Sequence, residues 1–170
     1  MKKLVVGIIV VVAIAVVALS WGNFSNAKTQ SQEAAQTAAD FTLPTIQGGN
    51  LTLSTYKGSV VVLDFWASFC PPCREEIPEL IQLYDAYKGR GVVIIGVSLD
   101  RISPEELKRF CDNMNIDYPI VRGNDTVAAQ YGGIRYIPTL FVLDRTMKIT
   151  KKFIGYTPRA AIESEIKKLL

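Results

Sequence analysis

One junction constrains this chain more than any other feature. Residues Ser59 to Trp66 (SVVVLDFW) form a dense, largely β-branched apolar run, the pattern of a strand covered on both faces of a sheet. Three residues later comes Cys70-Pro71-Pro72-Cys73, and from Pro71 the sequence reads as a helix to about Lys88. Two cysteines two residues apart, where a buried strand gives way to a helix, admit few architectures. With Cys70 at the N-cap, its sulfur lies over the positive end of the helix, which favours thiolate over thiol. Pro71 and Pro72 carry no N–H, so the amide of Cys73 is the nearest donor left for that sulfur. Cys70 is then the better nucleophile, and Cys73, one turn deeper, resolves the mixed disulfide. A bridge that closes four residues restrains an unfolded chain by roughly 2 kcal/mol, against about 4.7 kcal/mol for a 100-residue loop. Such a bridge is a poor staple and a good switch. The competing readings are an inert local disulfide and half of a zinc site.

Composition narrows the chemistry further. The chain has no histidine, which removes Cys-His and Ser-His nucleophile pairs and every His-containing metal site. There are three cysteines, Cys70, Cys73 and Cys111, too few and odd in number for a disulfide-stapled scaffold. A zinc site would have only Cys111 and carboxylates to complete it, so neither a metal nor a bound cofactor is expected. The formal charge of +3 and the lack of a basic, aromatic-interleaved patch set nucleic acid aside.

The amino terminus is a separate object. Met1-Lys2-Lys3 precedes an uncharged apolar run at 4–19, with Trp21 and Phe24 as interfacial residues beyond it. This reads as a hydrophobic helix over 1–24, a signal-anchor through residues 4–24 that leaves the lysines in the cytoplasm. The alternative is a cleaved signal peptide, since Ser25-Asn26-Ala27 offers small residues for a peptidase. Both place the bulk of the chain outside the cytoplasm. Residues 25–39 (SNAKTQSQEAAQTAA) read as a linker, and a single globular domain is expected over 40–170.

Within that domain, Phe41–Leu43 and Asn50–Leu53 predict a hairpin around Gly48-Gly49. Gly91 to Ser98 is a second buried strand. Ser103-Pro104-Glu105-Glu106 is a capping box with proline at the first helical position. The helix it opens carries Leu107, Phe110, Cys111 and Met114 on one face, so Cys111 reads as a core cysteine. Tyr118–Val121 predicts a short strand and Asn124–Tyr131 a short helix. Thr139–Leu143 and Ile149–Ile154 predict an antiparallel pair. Thr157-Pro158 is expected to cap a last helix with Ile162, Ile166, Leu169 and Leu170 inward. The order strand-helix-strand-helix-strand-strand-helix argues for an α/β fold, a mixed central sheet flanked by helices, an order that other α/β folds share.

The motifs carry a resemblance that the order alone does not. Asp64-Phe65-Trp66-Ala67-Ser68-Phe69-Cys70-Pro71-Pro72-Cys73 resembles the active-site segment of the thioredoxin family, and Tyr131 to Leu140 (YGGIRYIPTL) resembles the segment that bears its cis-proline. Ala39-Asp40-Phe41-Thr42-Leu43-Pro44, Cys73-Arg74-Glu75-Glu76-Ile77-Pro78 and the long segment between Asp100 and Tyr131 are similar to the TlpA/ResA branch of extracytoplasmic thiol-disulfide oxidoreductases. The resemblance implies a thioredoxin fold with an N-terminal β-hairpin and an inserted segment. It also implies roles. Cys70 is the attacking thiol, Cys73 the resolving thiol and Pro138 the cis-proline beside the disulfide. Asp64 is the buried acid beneath the disulfide, with a satisfied structural aspartate as the other reading. Glu76 is an active-site glutamate that tunes the thiols, with an ordinary solvated helix carboxylate as the other reading. Pro78 is a kink in the active-site helix. Ile137 offers backbone to an extended client strand. Trp66, Pro71 and Pro72 are placed with Ile137 on the client side, packing being the other reading of Trp66. Lys151-Lys152 and Lys167-Lys168 read as solvated faces.

Two departures from the family pattern bear on function. Phe69 stands where tryptophan is frequent, and Pro-Pro stands between the cysteines without the histidine of strongly oxidising relatives. An imidazolium there would favour the thiolate and hence the reduced form, so its absence argues for a reductant. The expected activity is reduction of disulfides in exported proteins, apocytochrome c among the candidate clients, by a monomer re-reduced by a membrane electron donor. An oxidase or isomerase on the same scaffold is the main alternative. A peroxidase pattern of the related peroxiredoxins, P-x-x-x-T-x-x-C, is absent, because Ala67 stands at the threonine position. A Cu(I) carrier remains the non-enzymatic alternative.

Overall fold

The computed structural model describes residues 36–170. The expected apolar helix over 1–24 and the linker up to residue 35 lie outside the described residues. Among the described residues no helix is long and apolar enough to cross a membrane.

Seven strands and four α-helices make up the domain. In chain order they are β1 (Thr42–Pro44), β2 (Asn50–Thr52), β3 (Val60–Trp66), α1 (Pro71–Tyr87), β4 (Val92–Ser98), α2 (Pro104–Asn113), β5 (Ile120–Arg122), α3 (Asp125–Gln130), β6 (Thr139–Leu143), β7 (Ile149–Ile154) and α4 (Arg159–Leu169). The hairpin β1–β2 turns at Gly48 and Gly49, both at positive φ, a conformation glycine adopts without a Cβ penalty. β1 lies one residue later than the expected Phe41–Leu43, and β2 is one residue shorter than expected because Leu53 opens a 3₁₀ turn over Leu53–Tyr56.

The main sheet has the order β5-β4-β3-β6-β7. β3 pairs in parallel with β4, and β4 with β5, while β6 runs antiparallel to β3 and to β7. This is the mixed sheet of a thioredoxin-like fold. β3 lies at its centre and is buried at all seven positions. Its side chains alternate between two cores. Val60, Val62 and Trp66 face the layer of α1 and α4, with Leu80, Ile94, Leu107 and Ile162. Val61, Leu63 and Phe65 face the layer of Phe41, Leu43, Val127 and Tyr131. Burial on both faces is why the run has no polar alternation except at Asp64.

The helices begin as their sequences direct, with one exception. Ser103 accepts from the Glu106 N–H and Glu106 returns a bond to the Ser103 N–H, closing the capping box of α2. Asn124 caps α3 by accepting from the Val127 N–H. α4 differs: it has no side-chain cap, because its N-cap is Pro158, which carries no acceptor, while the Thr157 hydroxyl donates to the Gly155 carbonyl. Its last residues also differ, since Leu169 is only half-buried and Leu170 is exposed where the helix runs past the sheet edge. Ahead of Asp40, the chain is already tied down. The Ala38 N–H donates to the Met147 carbonyl, and the Ile149 N–H donates to the Gln36 carbonyl. These ties sit at the start of β7, at the end of the sheet remote from Trp66.

Candidate active site

β3 ends at Trp66, and the short loop Ala67-Ser68-Phe69 delivers Cys70 to the N-cap of α1. Cys70 is extended (φ −88°, ψ 111°), and its Sγ accepts from the Cys73 N–H at 3.3 Å. Pro71 and Pro72 occupy the first helical positions, where the missing N–H groups would be unpaired in any helix. Cys70 and Cys73 are joined as a disulfide with Cα atoms 5.3 Å apart. Cys70 retains 6% exposure and Cys73 1%, so solvent reaches the first sulfur in preference to the second.

A carboxylate that the motif does not announce holds the loop. The Ser68 N–H and hydroxyl donate to Asp100 at 2.9 and 2.7 Å, and the Ser98 hydroxyl donates to it at 2.8 Å. The Leu99 N–H also donates to the Trp66 carbonyl at 2.8 Å. The ends of β3 and β4 are thus pinned together one residue before Phe69. Sequence reasoning missed Asp100. The available signal was Ser-x-Asp at the end of a strand predicted to lie beside the one that carries the cysteines.

The second wall is the segment before β6. The Ile137–Pro138 peptide bond is cis. The Ile137 carbonyl oxygen lies 3.5 Å from Cys70 Sγ. A closed disulfide has no S–H, so this is a contact that becomes a hydrogen bond only in the protonated dithiol. Behind it, the Gly155 N–H donates to the Pro138 carbonyl at 2.8 Å and the Thr157 N–H donates to Glu76 Oε1 at 2.7 Å. Glu79 accepts from the Tyr156 hydroxyl and from the Arg159 N–H at the start of α4. Two glutamates one turn apart on α1 therefore fix the loop that buttresses Pro138.

Glu76 is 1% exposed, which corrects its reading as a solvated helix carboxylate. Burial raises its pKa from 4.5 to about 7, against the Thr157 N–H, which favours the charged form, and with the nearby charge of Glu79, which opposes it. Asp64 is 1% exposed. Burial first, and then the charge of Glu76, hold its pKa well above the usual range. The two acids occupy one side of the sheet, the side on which Cys73 packs. Trp66 is fully buried, which corrects its placement on the client side: its indole stacks at 5.6 Å on Phe110 of α2 and cannot reach a bound protein. Cys111 lies in the same core, and burial pushes its thiol up to about 12. Pro78 lies inside α1, which continues through it. Pro71 is exposed and Pro72 half-buried, while Phe69 and Tyr136, on the loops either side of the disulfide, are 73% and 70% exposed.

Among the described residues, the bond that can accept an electron pair and give it back is Cys70–Cys73, at the start of α1. The chain is accordingly a thiol-disulfide oxidoreductase built on a thioredoxin-like scaffold. The sequence profile of the AhpC/TSA family matches residues 34–152. The thiol-disulfide oxidoreductase ResA of Halalkalibacterium halodurans is 32% identical over 156 residues, covering 90% of this chain and 88% of that protein. The thioredoxin-like protein YneN of Bacillus subtilis is 27% identical and covers 98% of both chains. A crystal structure described as a thiol:disulfide interchange protein DsbE from Chlorobium tepidum superposes with a TM-score of 0.74 at 32% identity, over 79% of this chain and 96% of that one. StoA from Bacillus subtilis superposes with a TM-score of 0.65 at 29% identity, over 75% and 96%. The chain belongs to the AhpC/TSA family, in its ResA-like branch.

Proposed function

We propose that this protein reduces disulfides in exported proteins, on the outer side of the cytoplasmic membrane. It would be held there by residues 1–24 and a linker shortened to 25–35 by the ties of Gln36 and Ala38 to the domain, and work as a monomer re-reduced by a membrane electron donor. Apocytochrome c is a client candidate.

The reaction follows from the placement of the two sulfurs. The Cys70 thiolate, steadied by the helix N-terminus and the Cys73 N–H, attacks a client sulfur. A Cys70–client bond forms, and the other client sulfur leaves as thiolate. Cys73 then attacks Cys70 and expels the second client thiolate. Two electrons pass from the dithiol to the client, and the client thiolates take protons from solvent. Asp64, buried on the side of Cys73, accepts the proton that Cys73 gives up, and Glu76 modulates that step through its charge. Ile137, beside Pro138, offers backbone to the client strand, and Pro71, Pro72, Phe69 and Tyr136 supply its apolar surroundings.

One observation carries the direction of exchange. Among the described residues, the donors placed to favour the Cys70 thiolate are the helix terminus and the Cys73 amide, while two buried carboxylates on the same side of the sheet oppose it when ionised. Modest thiolate stabilisation means a less favoured dithiol and a more negative potential. Equilibration with glutathione, read by thiol alkylation, should give a value nearer thioredoxin's roughly −270 mV than the roughly −120 mV of the strongest oxidants. A value above about −160 mV would assign the protein to oxidation or isomerisation instead.

A further inference from the structure

The loop that presents Cys70 is one closed turn. The Cys70 N–H donates to the Ala67 carbonyl at 3.2 Å, which leaves Ser68 and Phe69 at the corners. Asp100 takes hold of one corner with both oxygens. Its Oδ1 accepts from the Ser68 hydroxyl at 2.7 Å, and its Oδ2 accepts from the Ser68 N–H at 2.9 Å. Ser98 aims the carboxylate in turn: its buried hydroxyl donates to Oδ2 at 2.8 Å and accepts from the Asp100 N–H at 3.2 Å. Hydrogen bonds to a carboxylate are stronger than those between neutral groups.

Joining β3 to β4 does not require this clamp. The two strands already pair from Val60 with Val92 to Trp66 with Ser98, and the Leu99 N–H donates to the Trp66 carbonyl at the ladder's end. What the clamp adds lies beyond them, in the turn itself, and there it counts unequally in the two redox states. In the oxidised protein the bond to Cys73 fixes the Cys70 side chain directly. In the dithiol that bond is gone. The sulfur's place then depends on the Cys70 backbone, held by the turn on one side and on the other by the Arg74 N–H, which donates to the Cys70 carbonyl at 3.1 Å. Pro71 and Pro72 offer no N–H, so the Cys73 amide at 3.3 Å is the donor that the sulfur must keep. Hydrogen bonds weaken steeply as they bend, and a turn that shifts forfeits this one.

We infer that Asp100 is a positioning residue for the attacking thiol: by clamping Ser68 it keeps Cys70 Sγ over the start of α1 when the disulfide is open. That role rests on the proposed exchange reaction, in which Cys70 attacks. Loss of the clamp destabilises the dithiol more than the disulfide, so reduction becomes less favourable and the potential more negative. A carboxylate that only braced the fold would support both forms equally and leave the potential unmoved. A negative charge near the thiolate acts in the opposite sense, so the test holds charge constant.

Asp100→Ala and Asp100→Asn both remove the charge. Only asparagine can still bond Ser68, its oxygen accepting the N–H and its amide donating to the hydroxyl. The difference between the two variants therefore reads the hydrogen bonds alone. At equilibrium with glutathione, Asp100→Ala should lie about tenfold further towards the disulfide than Asp100→Asn, which is about 30 mV more negative. In a Cys73→Ala background, Cys70 should react with dithiobisnitrobenzoate about tenfold more slowly in the alanine variant than in the asparagine variant. Ser68→Ala keeps the carboxylate and its charge, and should shift the equilibrium about threefold in the same direction, a reading that stands even if Asp100→Ala does not fold. Equal potentials or equal rates for the two Asp100 variants, or an unmoved potential in Ser68→Ala, overturn the inference. The reductase reading fails separately, through the absolute potential of the unmodified protein, and the choice of Cys70 as attacker fails through mixed-disulfide trapping.

Discussion

Replacing Glu76 by glutamine should make the protein's stability far less sensitive to pH. The Glu76 carboxyl is buried and titrates near 7 in the folded chain, against 4.5 when exposed. The sign follows from which state holds more protons. Between about pH 4.5 and 7 the unfolded chain has lost this proton and the folded chain still binds it, so stability falls as pH rises. The slope is about 1.4 kcal/mol per pH unit, which accumulates to about 3 kcal/mol and levels off above pH 7. Asp64 titrates high for the same reason and adds to the fall. Glu76→Gln keeps an oxygen to accept from the Thr157 N–H but cannot ionise, and it removes one charge that raises Asp64. Urea unfolding of the oxidised proteins at pH 4 and pH 8 measures the effect. The original protein should lose about 3 kcal/mol more than the variant across that range. Equal losses in the two proteins would mean that Glu76 is ionised in the folded state, and the burial argument would fail.

Further outcomes follow from the same geometry. Cys73→Ala should accumulate mixed disulfides through Cys70 on gels of alkylated extracts, and Cys70→Ala should accumulate almost none, because only Cys70 is both accessible and placed over the helix terminus. Cys111→Val should keep turnover with client disulfides at a stability change of about 1 kcal/mol, and the Cys111 thiol should resist alkylation until the chain unfolds. Asp100→Ala leaves Ser68 and Ser98 without their acceptor and should cost about 2 kcal/mol in urea unfolding, with Asp100→Asn recovering about half. A neutral effect of Asp100→Ala would show that the loop is held by its strand ends alone.

Much of this architecture is written in local pattern. The run from Ser59 to Trp66 predicts a two-sided central strand because β-branched residues at every position suit burial on both faces. Ser103 with Glu106, and Asn124 before Asp125, predict helix starts because a cap is a contact across three residues. The site's less legible parts all depend on distant chain. Glu76 resembles any exposed helix carboxylate until the loop at Thr157, 81 positions on, closes over it. The expected cap of α4 does not form because the N-cap position falls on Pro158, whose side chain has no acceptor, one residue after Thr157. Trp66 looks like a contact residue from its distance to Cys70 along the chain, yet strand alternation turns it inward against Phe110. Asp100 is separated from Ser68 by 32 residues, and only the parallel pairing of β3 with β4 brings them together.

The ties of Gln36 and Ala38 to Met147 and Ile149 fix where a pull on the chain is felt. They grip the domain at the end where β6 hands over to β7, and the disulfide opens at the other end of the seven-residue strand β3, about 20 Å away. If the residues before Gln36 tether the domain as proposed, a pull on them is taken up first by the hydrogen bonds at Met147 and Ile149, on the β7 edge of the sheet. The Cys70–Cys73 bond, at the opposite end of β3, stays clear of that attachment and free to face a client.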